Sequence, residues 1–112
     1  MDINDVQEFS IEEGRQKLKF ILVEVTNGID KKLLVRMHHA DNIYHVDMLH
    51  AMEADLKSSG LKAKGLGGGY ADIYNSIKTI EIYGSSKGLG QEPDREETIR
   101  IVKRAFPGFQ VS

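Results

Sequence analysis

The chain is predicted to be a single α+β domain with α/β-type packing, a mixed β-sheet flanked by two α-helices, in the order β-β-α-β-β-α-β. Three observations predict this. Five segments have strand-like composition, two have helical periodicity bounded by cap and stop residues, and no low-complexity tract or linker divides the 112 residues. The domain is placed at residues 17–112, after a partly ordered arm at 1–16 whose apolar positions follow no sustained period. From the second strand onward the order also fits a ferredoxin-like alternative.

Taken in order, the first strand is Lys19-Phe20-Ile21-Leu22-Val23-Glu24-Val25, nearly continuous in apolar character and rich in β-branched residues, so a central position is expected. Thr26-Asn27-Gly28 turns the chain into Lys32 to His38, paired with it as a hairpin. A helix from about Ile43 to Ser59 follows, with Asp41 or Asn42 as N-cap and Gly60 at the left-handed C-terminal position. Leu61 to Tyr74 is a strand dominated by small residues, and Gly67-Gly68-Gly69 points to a bulge or to close approach by a ligand or another backbone. Ile77 to Tyr83 alternates as a half-buried strand and opens into the loop Gly84 to Gly90. Asp94 and Glu97 resemble a capping box for a second helix that runs to about Phe106, with Ile99, Val102 and Phe106 buried. Pro107-Gly108 ends it, leaving Phe109 to Val111 for a short terminal strand.

Composition narrows the function. A formal charge of −2, with no basic stripe, argues against a nucleic-acid partner, and no apolar run approaches the length of a membrane span. With no cysteine there is no disulfide scaffold, thiolate zinc site or cysteine-phosphatase chemistry. The acidic start Met1-Asp2-Ile3-Asn4-Asp5 lacks a signal-peptide pattern, so a cytoplasmic monomer is the expectation.

The residue that stands out is His45. Counting about 100° per residue, it shares a stripe with Leu49, Met52 and Leu56, while His50 turns to solvent. At the start of the helix it meets unpaired N–H groups and the positive end of the dipole, which disfavour imidazolium. A neutral imidazole can take a proton or attack phosphorus, with an anion held beside it. A histidine merely capping the core is the competing reading. The small-residue loops at Gly67 and at Gly84 to Gly90 can supply anion-binding N–H groups, although neither has the Walker ending. His38, His39, His45, Asp41 and Asp47 lack metal-ligand spacing, so no metal and no cofactor is expected. No serine-hydrolase elbow surrounds Ser86.

Leu34-Val35-Arg36, Tyr44-His45-Val46-Asp47, Leu66-Gly67-Gly68-Gly69 and Ile82-Tyr83-Gly84-Ser85-Ser86 with Gly90, in this order, resemble the Janus/Ocnus family between about Lys19 and Val111. Its animal members include protein histidine phosphatases. The resemblance implies that His45 is the catalytic base or phosphoryl acceptor. It also implies a phosphate pocket of backbone N–H groups at Tyr44, His45, Ser86 and Gly88, the Ser86 hydroxyl, and the cations Lys19 and Arg36. No metal enters that scheme. Two positions depart from the animal pattern: Tyr70 stands in place of an arginine, and Lys87 stands in place of an apolar residue, where it could restore the missing charge. The function implied is metal-independent hydrolysis of the P–N bond of phosphohistidine, with phospholysine as a further substrate, in partner proteins or peptides. The alternative is a non-catalytic domain that binds a phosphorylated or acidic partner through the same N–H groups.

Overall fold

The computed structural model describes residues 2–12, 16–39 and 44–112. Its elements are β1 (Phe9–Ile11), β2 (Lys17–Thr26), β3 (Lys31–His39), α1 (His45–Lys57), β4 (Lys62–Tyr74), β5 (Thr79–Tyr83), α2 (Arg95–Ala105) and β6 (Gln110–Val111), with a short 3-10 turn at Ile3–Asp5. They form one mixed six-stranded sheet in the order β1-β3-β2-β4-β5-β6, an α+β fold as the sequence predicts.

The apolar run of β2 explains its central place. Its residues are divided between two cores, Leu18, Phe20 and Leu22 packing with Ile99, Ile101 and Val102 of α2, and Ile21, Val23 and Val25 packing with Met48, Met52 and Leu56 of α1. The helices therefore cover opposite faces of the sheet. Side chains alternate along a strand, so only a strand covered on both faces can be apolar at successive positions.

Two topological details lay outside the sequence reading. The arm contributes β1, which pairs in parallel with β3 through Phe9↔Val35 and Ile11↔Met37. The ferredoxin-like alternative fails because β6 pairs in parallel with β5 at the far edge, with no place beside β3. The fold hydrogen bonds β4 to β2, the strand that precedes β3.

The glycine-rich strand β4 is regular except for one bulge. Val25 pairs with Ala63 and Val23 with Gly65, but Leu22 pairs with Gly67, so Leu66 is the extra residue. Below the bulge Ala63 and Gly65 are aligned with the α1-facing residues of β2; above it Gly68 and Tyr70 are, opposite Ile21 and Lys19.

Helix α1 starts at His45, two residues later than expected, and the N-cap position is taken by Tyr44, while Asp41 and Asn42 lie outside the described residues. The Tyr44 N–H is satisfied from within the helix, donating to the Asp47 carboxylate at 3.2 Å. Gly60 follows the helix at φ +72°. For α2, Asp94 caps as predicted, accepting from the Glu96 N–H at 3.0 Å, but Glu97 pairs with Arg100 at 2.7 Å instead of completing a box. Its buried residues are Thr98, Ile99, Ile101 and Val102, with Phe106 only half-buried against them.

Candidate functional site

His45 is 6% exposed, deep for an imidazole at a helix start, because nothing but glycine stands opposite it on β4. A Cβ at Gly68 would lie 2.9 Å from the His45 Cδ2 and 2.4 Å from the Phe20 carbonyl oxygen. The strand thus has room for the ring only while position 68 is glycine. This is the close approach that the glycine run predicts, made by a side chain of the same chain. Gly67, at φ +149°, makes room for the Gln91–Glu92 backbone in the same way.

The ring is held at 2.8 Å by the Gly69 carbonyl oxygen. A carbonyl only accepts, so Nε2 carries the proton, and in the neutral ring Nδ1 keeps its lone pair. Burial holds the His45 pKa below its ordinary 6.5; the Gly69 carbonyl opposes that shift and the nearby Lys19 ammonium adds to it. The result is an imidazole neutral at pH 7, with one nitrogen fixed and the other available. His50, by contrast, is exposed.

The Gly84–Gly90 loop packs against the first turn of α1. A Cβ at Gly88 would lie 2.4 Å from Val46 Cγ2, and Leu89 packs with the α1-side core. The loop is closed on itself: Gly90 N–H donates to the Ser86 carbonyl at 2.8 Å, Ser86 N–H to the Gly90 carbonyl at 3.3 Å, and Leu89 N–H to the Ser86 hydroxyl at 3.0 Å. It is tied to β4 by Gly68 N–H donating to the Gly90 carbonyl at 2.9 Å.

Among the predicted anion donors, the Tyr44 and Ser86 amides are therefore already engaged, by Asp47 and by Gly90. Those of His45 and Gly88 make no hydrogen bond among the described residues. The Ser86 side chain is buried and accepts through its oxygen, leaving its O–H to donate. Lys19 lies over the ring of the exposed Tyr44, 5.6 Å from its centroid, and close enough to His45 to act on its charge. Arg36 is directed elsewhere. Its guanidinium donates to the Val35 carbonyl at 3.0 Å and the Gln7 carbonyl at 2.7 Å, which fastens the N-terminal segment to β3. Lys87 is exposed on the loop.

Tyr70 meets the His45 ring edge to face, with centroids 5.5 Å apart, and stacks on Tyr83 at 5.9 Å. The Lys17 ammonium lies 5.6 Å from the Tyr70 centroid. A cation over Tyr70 thus comes from Lys17 of β2, a contribution the sequence did not single out. His38 and His39 both reach the Glu12 carboxylate, at 3.0 and 3.1 Å. Among the described residues no three His, Asp or Glu side chains are grouped to hold a metal ion. No helix among them is long and apolar enough to cross a membrane.

Comparison with known proteins bears on this geometry. The chain is similar to the sex-regulated protein janus-A of Drosophila simulans, and to that of Drosophila melanogaster, each 30% identical over 93 residues that cover 83% of this chain and 68% of the relative. It is also similar to the 14 kDa phosphohistidine phosphatase of Sus scrofa, 29% identical over 69 residues, 62% of this chain and 54% of that protein. A sequence model of the Janus/Ocnus family matches residues 3–110, nearly the entire length, and the chain belongs to that family.

Proposed function

We propose that the protein is a metal-independent phosphohistidine phosphatase, with phospholysine as a further substrate. The observation that carries this reading is the fixed tautomer of His45: Nε2–H is bound to the Gly69 carbonyl and Nδ1 is left basic at neutral pH, while the amides of His45 and Gly88 make no hydrogen bond among the described residues. The likeness to a phosphohistidine phosphatase supports it.

In this reading the phosphoryl oxygens accept from the open amides and the Ser86 hydroxyl, with Lys19 adding attraction. Water attacks phosphorus as Nδ1 takes its proton. The P–N electron pair leaves with the substrate nitrogen, which takes a proton from solvent as it departs, and Nδ1 returns its own proton to solvent. Attack by Nδ1 itself, followed by hydrolysis of the phosphorylated His45, uses the same geometry.

Release of inorganic phosphate from a phosphohistidine peptide in excess EDTA tests the proposal. Activity in chelator that is lost in His45→Ala and kept in His50→Ala is the expected result. Rapid quench with labelled substrate separates the two routes, since only the second leaves label on His45. Binding of phosphopeptide without turnover would make this a binding domain instead.

A further inference from the structure

The loop beside His45 is held at its other end by residues with no assigned role. Glu92 is 2% exposed, and its carboxylate is fully used: one oxygen receives Arg95 Nε at 3.1 Å and Nη2 at 2.7 Å, and the other receives the Thr98 hydroxyl. The same Arg95 Nη2 donates to the Gly84 carbonyl at 2.6 Å, and its guanidinium lies over the Phe20 ring, 5.4 Å from the centroid. Glu92 itself is seated where Gly67 has no side chain.

A buried carboxylate is costly unless paired. Here it fixes the orientation of a guanidinium whose Nη2 also holds the first carbonyl of the loop. The Gly90 end is held by Gly68 N–H. Both ends of the loop are thus anchored, one through the first turn of α2 and one through β4, while the middle leans on the first turn of α1.

We infer that the Glu92–Arg95 pair, steadied by Thr98, is a positioning device that sets the Ser86 hydroxyl and the Gly88 amide at the distance from His45 that phosphate requires. This rests on the reading of the site given under Proposed function. Arg95 touches no substrate in this scheme; it acts through the Gly84 carbonyl. Loss of its grip frees the loop at its left-handed Gly84, φ +77°, and misplaces several donors together, so phosphate affinity should suffer more than the chemistry at Nδ1.

The test uses the full chain. Arg95→Lys weakens the grip, and Glu92→Gln/Arg95→Met removes it without stranding a buried charge. Inorganic phosphate titration, steady-state kinetics on a phosphohistidine peptide, and hydrogen exchange of the 85–90 amides are measured against Val111→Ala, a buried β6 change chosen as a stability control.

The double variant should raise the phosphate Kd and the peptide KM about tenfold, change kcat less than about threefold, and speed exchange in the loop. Arg95→Lys should fall between it and the wild type. Wild-type phosphate affinity and loop exchange in the double variant would overturn the inference. An equal rise in KM in Val111→Ala would overturn it too, by showing a general stability effect. If the wild type neither binds phosphate nor turns over, the reading of the site fails, and loop exchange still decides whether Arg95 positions the loop.

Discussion

Adding one carbon to Gly88 tests whether the loop and the helix start form a single site. The new Cβ would lie 2.4 Å from Val46 Cγ2, about 1 Å inside the 3.4 Å at which ordinary contact begins, so the loop or the Val46 side chain must give way by about that distance. Overpacking of this kind costs about 1–3 kcal/mol. A displacement of about 1 Å between donors and base costs up to about 100-fold in rate. Val46→Ala removes the offending carbon; trimming two carbons at about 0.8 kcal/mol each, halved for a half-buried residue, costs about 0.8 kcal/mol. The double variant Gly88→Ala/Val46→Ala should therefore recover most of the lost kcat/KM, with a favourable coupling of about 0.5–3 kcal/mol in urea unfolding. A Gly88→Ala protein with wild-type phosphate affinity and stability would refute the convergence argument. So would a double variant in which the two losses simply add.

The pH profile should place the acid limb of kcat/KM below 6.5, because burial lowers the His45 pKa and the neutral ring is the active form. Lys19→Ala removes a charge that disfavours imidazolium, so the limb should move upward; no movement would mean that Lys19 does not act on His45. The same lowered pKa makes His45 oppose folding in acid: its contribution is neutral above 6.5 and turns unfavourable below it, as the unfolded chain binds a proton that the folded one resists. His45→Gln should flatten that part of the stability curve measured by urea unfolding. Tyr70→Arg should change efficiency little if Lys17 or Lys87 already supplies the cation, and a gain above about tenfold would show that the pocket lacks a donor.

The sequence disclosed what depends on local period and local caps. The β2 run could be placed at the centre because only two-sided burial tolerates four successive apolar positions, Phe20 to Val23, and Asp94 could be assigned as a cap because its carboxylate acts on an amide two residues on. Strand β1 was not legible. Three half-buried residues carry no period, and they form a strand only because β3 offers an edge in parallel. Tyr44 has no conventional capping side chain, so the helix start was placed too early; the stabilising group was Asp47, inside the helix. His45 stood out through its stripe, but the acceptor that fixes its tautomer, the Gly69 carbonyl 24 residues away, requires the fold. Arg36, which the resemblance gives as a pocket cation, has a partner that no local signal shows: only the topology brings the Gln7 carbonyl beside it. Glu92 and Arg95 carry no local signal, because what sets them apart is the fold bringing Gly67 and Gly84 next to them.

The extra residue at Leu66 works like a single-letter insertion in a two-letter code. Every side chain of β4 beyond it has exchanged faces relative to those before, so Gly68 meets the His45 ring and Tyr70 borders it, while Ala71 and Ile73 sink into the opposite core. Pairing Leu66 directly with Leu22, with no residue bulged out, would set Gly68 opposite Phe20 and turn Tyr70 into the α2-side core and Ala71 toward α1. The strand depends on its bulge as much as on its glycines. A Cβ at Gly67, Gly68 or Gly69 would run into neighbouring backbone, and a flattened bulge would move the site's whole floor to the wrong side of the sheet.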